Sequence, residues 1–377
     1  MSAERTGREP VPILLTVYRL EVGGNERDLS KLARYLDPSR FEVHVACFHP
    51  DGERRAELEA SKIPILHLPV RSFYDKTAIT GARSLWAYLR RHKIQLIQAF
   101  DAPTSIYTVP LARLFDIRAV VSSHLFFRPL IPPPYYHALR LVDFLSDRIV
   151  VNAHAIKNHL IHDYGLPAER IFVSHNGVET GTFYRGTEPR PDFLQRASLI
   201  IGSLCVFREE KRLELLIEVF ARLAPRHPGL RLLIVGDGNM REKWMALSEE
   251  LGLGTSCHFE LTTTGVPHWM RLMDIFVLPS RSEGFPNSLL EAMACGCAVV
   301  ASNVGGVPEM VEHGRNGLLF SSGDSADLER QLLLLIENQE LRKKMTAAAA
   351  DDAKTRFNME ITARRMEAFY DAVLKER

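Results

Sequence analysis

Two glutamates eight positions apart, Glu283 and Glu291, bracket a Gly-Phe-Pro-Asn turn that opens into an apolar helical run and then a buried strand. Asn287 or Ser288 is expected to cap the start of that helix. A helix N-terminus presents N–H groups without intrahelical partners and the positive end of a dipole, so it attracts phosphate. A carboxylate just before such a site and another one turn inside it repel phosphate and suit hydroxyl groups, whose protons they accept. The segment therefore reads as a place for a molecule that carries both phosphate and sugar hydroxyls. Ser288 and Glu291 also make the Ser-x-x-Glu pattern of a capping box, a purely structural use of the same residues.

Such residues need strands and helices to hold them. Short apolar runs at 11–18, 41–48, 65–68, 94–98, 119–123 and 148–151 read as strands, with amphipathic segments at 26–36, 82–91 and 135–146 between them. The alternation then starts again, with strands at 199–206, 230–235, 275–278, 298–301 and 318–320 and helices that include 211–223, 240–251, 288–295 and 327–338. Near-continuous apolar strands separated by helices imply parallel sheets covered on both faces. The break falls at 176–191, which is polar and rich in Gly and Pro. A chain of 377 residues is long enough for two such domains. Ligands of doubly wound sheets bind at the carboxyl ends of the strands, and a cleft between two sheets is the expected active site.

The chain resembles, over nearly its whole length, the retaining family-4 glycosyltransferases of the GT-B fold, whose E-x7-E motif is matched by Glu283 and Glu291. The resemblance implies an α/β protein of two Rossmann-like, doubly wound domains facing across a cleft. Residues 1–180 would be the acceptor-side domain, 181–355 the donor-binding domain, and 356–377 a C-terminal helix, near 359–374, returning to the N-terminal domain. It implies a nucleotide sugar, UDP- or GDP-linked, as donor, and a sugar or lipid-linked acceptor. Its implied catalytic residues are His124, at the end of the fifth apolar run, and Glu283. Donor contacts would come from Gly23 and Gly24 after the first strand, Lys211 on the diphosphate, Gly236 near the nucleotide, and Leu261 in the base-lining segment 259–263. The turn residues Phe285, Pro286, Asn287, Ser288 and Leu289 would join them, with Glu291 on the ribose. The chain departs from the pattern at two places: Asn25 replaces a small residue after Gly24, and Val206 stands where the family has an arginine five before its lysine. Arg208 is the nearby guanidinium that could replace it.

Composition narrows the class further. Hydrophobic content of 46% and charged content of 25% are those of an ordinary globular protein, and a formal net charge of +1 gives no case for nucleic-acid binding. No Asp-x-Asp pair occurs, so catalysis without a metal or other cofactor is expected. Five cysteines without framework spacing point to a reducing compartment, and Cys295-Gly-Cys297, lacking partner ligands nearby, reads as buried packing rather than zinc. The polar stretch 1–10 is no signal peptide, and no apolar run reaches the roughly 18 residues of a membrane span. A cytoplasmic enzyme is expected, working peripherally on the inner membrane face if the apolar, proline-rich segment 125–136 is an exposed lip for a lipid-linked acceptor. The alternative is a non-catalytic nucleotide-sugar-binding scaffold on the same fold.

Overall fold

The computed structural model describes residues 9–21, 23–125, 127, 135–261 and 265–376. The chain divides into two units, Met1–His175 with Met359–Arg377, and Asn176–Asn358. The sequence-based boundaries, 180/181 and 355/356, differ by a few residues. The polar connector has its backbone bonds in the second unit: Val178 N–H donates to Phe357 O at 2.8 Å, and the Asn176 side chain donates to Phe285 O at 2.9 Å.

The first unit holds strands β1 (Val11–Arg19), β2 (Phe41–His49), β3 (Ile65–His67), β4 (Leu96–Ala99), β5 (Ala119–His124), β6 (Arg148–Val151) and β7 (Ile171–Val173). They form one sheet in the order β3-β2-β1-β4-β5-β6-β7, every described pairing being parallel. The second unit holds β8 (Leu199–Leu204), β9 (Leu230–Val235), β10 (Cys257–Glu260), β11 (Ile275–Leu278), β12 (Ala298–Ser302) and β13 (Leu318–Phe320), in the parallel order β10-β9-β8-β11-β12-β13. Each sheet starts at its first strand, winds outward, then returns to wind the other way. The reversal lies between β1 and β4 in one unit and between β8 and β11 in the other, and such a switch point opens a crevice at the strand carboxyl ends. Strands β7 and β10 were not anticipated. Both are short sheet edges; β10, Cys257-His258-Phe259-Glu260, is half-buried and shows no continuous apolar run, whereas β7 is an apolar run of only three residues, Ile171-Phe172-Val173.

Each face of β1 feeds a different core. Ile13, Leu15 and Val17 pack with residues of the C-terminal helix Met359–Lys375, while Leu14 packs on the other side with Leu85 and Leu89 of the helix Lys76–Arg91. The C-terminal helix is thus part of the first unit, as expected. Phe369 stacks on Phe172 with centroids 4.4 Å apart, Tyr370 meets Phe41 edge-on at 5.7 Å, and Glu367 accepts from Asp37 N–H at 2.8 Å and pairs with Arg40.

The Tyr370 hydroxyl donates to the side-chain oxygen of buried Gln98, whose amide donates to Ser123 Oγ at 2.9 Å. Tyr370→Phe removes that donor and strands a buried acceptor, and should cost about 1–3 kcal/mol in urea unfolding followed by a probe in the first unit. An unchanged midpoint would show that the Gln98 oxygen is satisfied some other way.

Candidate functional site

In the second unit the segments leaving β8 and β11 meet at the switch point. After β8 the chain turns through Cys205–Arg208 into a 3-10 turn, Glu209–Lys211, and Arg212 takes left-handed geometry (φ 51°, ψ 40°) to start the helix Leu213–Leu223. After β11, Arg281 N–H donates to Glu210 O at 2.8 Å and ties the two segments together. Lys211 Nζ then donates to Glu283 Oε1 at 2.7 Å, and Ser280 Oγ donates to the same oxygen at 2.6 Å. Ser280 is fully buried and Glu283 is 8% exposed. Burial is the largest single influence and works against the Lys211 ammonium, but the negative groups around it, Glu283 foremost with Glu210, together outweigh it and hold the group above the usual lysine range. The neighbouring Cys205 thiol is pushed up to about 12 by burial, which leaves it unreactive.

Glu283 leads into the helix Asn287–Cys295. Pro286 is its N-cap and makes no side-chain cap bond, so the expected cap from Asn287 or Ser288 is corrected: the helix starts one residue early and takes both inside. Ser288 and Glu291 therefore do not form a capping box, and the first-turn N–H groups receive no side-chain oxygen from the cap position. Phe285 and Leu289 anchor the turn in apolar surroundings, with the Phe285 ring 5.5 Å from that of Phe357. Glu291 is 2% exposed, and Asn287 and Ser288 are half-buried. Gly306 N–H donates to Gly284 O at 2.9 Å, so the loop after β12 braces the turn from its other side.

Gly236 ends the turn after β9 at φ 137°, where a Cβ would lie 2.0 Å from Cys205 O, so only glycine fits against the β8 segment. Leu261 packs at the edge of the second unit's core; 262–264 lie outside the described residues. Arg208 does not join the Lys211–Glu283 pair: its side chain is 60% exposed and 4.0 Å from Glu210, while Val206, in the family's arginine position, is itself exposed.

In the first unit, Gly23 is the N-cap of the helix Gly24–Tyr35, and among the described residues no heavy atom lies within 4 Å of where a Cβ on Gly24 would project. Across the switch point, Asp101 caps the helix Ala102–Leu114 by accepting from Thr104 N–H at 2.9 Å, and also accepts from Tyr18 N–H at 2.5 Å. Burial raises Asp101 above the usual carboxylate range, and burial with the Asp101 charge does the same to Glu26. His124 ends β5, 5% exposed, with Nε2 2.9 Å from Asp143 Oδ1. Asp143 lies on the helix Tyr135–Leu145 and is 3% exposed. No motif pointed to it. The available signal was an acid on the buried face of an amphipathic helix, beside Leu139 and Val142, where a carboxylate needs a partner.

Of the apolar lip segment, 126 and 128–134 lie outside the described residues; Leu125 packs on the first unit's core and the Phe127 ring meets His159 at 5.1 Å. Cys295 and Cys297 are buried, burial raises both thiols, and Cys297 Sγ donates to Met270 O at 3.3 Å.

A family model described as "Glycosyl transferases group 1" matches residues 188–352, and one described as "Glycosyltransferase Family 4" matches residues 22–182. Among curated proteins, N-acetyl-alpha-D-glucosaminyl L-malate synthase of Bacillus anthracis is 26% identical over 61% of this chain and 61% of its own. The Vi polysaccharide biosynthesis protein VipC/TviE of Salmonella typhi is 30% identical over 52% of this chain and 35% of its own. The match thus spans less than two thirds of either relative. The structure of Anabaena HepE in complex with UDP and glucose has a TM-score of 0.80, covers 95% of this chain and 99% of its own, and is 22% identical.

Lys211→Met should leave the largely buried Glu283 carboxylate with Ser280 alone and cost about 3 kcal/mol in chemical denaturation of the unliganded protein. The double variant Lys211→Met, Glu283→Gln should recover most of it. Additive losses in the two single variants and the double would show that the residues are not coupled.

Proposed function

The chain belongs to the family-4 glycosyltransferases of the GT-B fold, and from that premise we propose that it moves a sugar from a nucleotide-sugar donor to an acceptor hydroxyl, with retention of configuration and without a metal ion. The observation that carries the reading is the Lys211–Glu283–Ser280 cluster at the second sheet's switch point, followed directly by a helix whose cap supplies no side-chain acceptor. The Lys211 ammonium and the first-turn N–H groups of that helix neutralise the departing diphosphate. Glu283 accepts from the sugar hydroxyls and Glu291 from the ribose. Gly236 and Leu261 line the nucleotide side, and Gly23 and Gly24 open a helix N-terminus toward phosphate or acceptor. His124, its ring held by Asp143, hydrogen-bonds a sugar hydroxyl and stabilises positive charge as the donor bond breaks. The acceptor hydroxyl attacks on the face the diphosphate leaves, and a diphosphate oxygen takes its proton.

UDP is the first nucleotide to test, being the one bound in the Anabaena structure of the same fold, and GDP the second. The acceptor assigned is a sugar or lipid-linked sugar of a surface glycan, in keeping with the relative named for Vi polysaccharide biosynthesis. The work is assigned to the cytoplasm and the inner membrane face; among the described residues no helix is long and apolar enough to cross a membrane.

Thermal unfolding with a panel of nucleotides and nucleotide sugars tests the donor. The right one, at a hundred times its dissociation constant, should add about 2.7 kcal/mol, and Glu291→Ala should remove most of that gain. Slow hydrolysis of the donor should persist in chelator and fall by about 100-fold or more in His124→Ala. Nucleotide binding with no turnover on any donor would favour a scaffold, and loss of turnover in chelator would sink the metal-free mechanism.

A further inference from the structure

Glu42 and His44 stand two residues apart on β2 and project from the same face of the first sheet. That face packs against the helix Lys76–Arg91, whose Leu85 and Leu89 share a core with Ala46 and Phe48. Tyr88 belongs to this helix and His92 is its C-cap, donating its N–H to Tyr88 O at 3.0 Å. Four residues apart, the two sit on one side of the helix, over the amino half of β2. The His44 ring centroid lies 4.8 Å from that of His92 and 5.6 Å from that of Tyr88.

His44 is only 1% exposed. Its Nδ1 lies 2.8 Å from the Tyr88 hydroxyl. Its Nε2 is buried and 3.2 Å from Glu42 Oε1, within ion-pair range but without hydrogen-bond alignment. One ligand atom from each of Glu42, His44 and His92 lies within 4.8 Å of the others. A core histidine bonded to a tyrosine accounts for Nδ1 alone; a buried ring nitrogen with no hydrogen bond is costly and calls for a partner.

We propose that Glu42, His44 and His92 form a binding site for a divalent cation of the zinc type, with Tyr88 supporting His44. Two imidazoles and a carboxylate are a recognised zinc ligand set, and a fourth position stays open to water. A ligating histidine ordinarily donates its other ring N–H to a fixed acceptor, and the Tyr88 hydroxyl occupies that place. With Nδ1–H donating to Tyr88, the lone pair on Nε2 is left for a cation beside Glu42. Ligand atoms about 2.0–2.1 Å from a tetrahedral ion stand roughly 3.3 Å apart, so the group must close by about 1.5 Å at most. The Glu42 side chain, 58% exposed, is free to swing that far. The cation would pin the C-terminal end of the helix Lys76–Arg91 to β2. These ligands lie in the amino half of β2, away from the carboxyl-end residues assigned to sugar transfer, and the site is independent of that assignment.

The test uses the full chain, stripped with chelator, dialysed, and titrated with Zn²⁺ alone by calorimetry and by thermal unfolding; Co²⁺ serves as a spectroscopic substitute. One tight site per chain, a raised unfolding midpoint and the visible spectrum of tetrahedral Co²⁺ are expected. The chain has 14 histidines, so the diagnostic signal is the part lost in defined variants. Tyr88→Phe should weaken the tight site by about 10–100-fold and, by stranding buried His44 Nδ1, lower the unliganded midpoint; Glu42→Gln or His92→Asn should weaken it by more, with the unliganded midpoint near that of the parent. His44→Ala should abolish it, but the two rim variants carry the test should that core change fail to fold. A tight site and Co²⁺ spectrum unchanged in the Glu42→Gln, His92→Asn double variant would overturn the proposal, as would the absence of any tight site in the parent.

Discussion

The ion pair between Lys211 and Glu283 organises the second unit's switch point. Neither partner is comfortable alone: burial penalises the ammonium, and the carboxylate has Ser280 as its other close donor. Together they bridge the segments leaving β8 and β11, which are joined independently by the Arg281 to Glu210 backbone bond. The arrangement follows from the strand order. Only because β8 and β11 are neighbours do residues 72 positions apart meet, and the order reverses there, the place where doubly wound sheets take their ligands. A charge placed there in advance suits a reaction whose leaving group is anionic, since the ammonium need not be reoriented or desolvated when that charge develops.

The same logic is repeated, with different chemistry, in the first unit. Its switch point carries Asp101, which spends its carboxylate on the backbone of Tyr18 and on the cap of its own helix, fixing the ends of β1 and β4 relative to each other. One strand further along, His124 is held by Asp143 from a neighbouring helix. A buried carboxylate fixes which ring nitrogen bears a proton and limits ring rotation, as a positioned imidazole requires. This unit is completed only by the last helix of the chain. Without Met366, Phe369 and Tyr370, one face of β1, β2 and β4 would lose a large part of its apolar cover, so the core closes only when both ends of the chain are in place.

Much of this was legible in the residues. The alternation of apolar runs and amphipathic segments marked eleven of the strands, because strands buried on both faces must be apolar throughout, and a period of about 3.6 marks helices lying on a sheet. The edge strand β10 escaped because its half-buried Cys257-His258-Phe259-Glu260 carries no such run; β7, the apolar triplet Ile171-Phe172-Val173, carries one and was missed. Glu283 and Glu291 stood out as two carboxylates around a turn that opens a helix, and Lys211 was placed only by the family resemblance. The cap of the helix Asn287–Cys295 was misjudged because side-chain propensity favours Asn or Ser at an N-cap, whereas the buried Phe285-Pro286 turn fixed the start of the helix one residue earlier.

Local pattern and charge thus determined the two α/β units and the glutamate turn, and the resemblance to a family added the lysine. What tertiary structure alone decided is which distant residues touch: that Lys211 meets Glu283, that Arg208 points to solvent, that Asp143 rather than a nearer group holds His124, and that Glu42, His44 and His92 converge. The physical reason is that periodicity reports the environment of a side chain, apolar or wet, strand or helix, whereas pairing across 19, 50 or 72 positions depends on strand order and helix register, which no local pattern encodes.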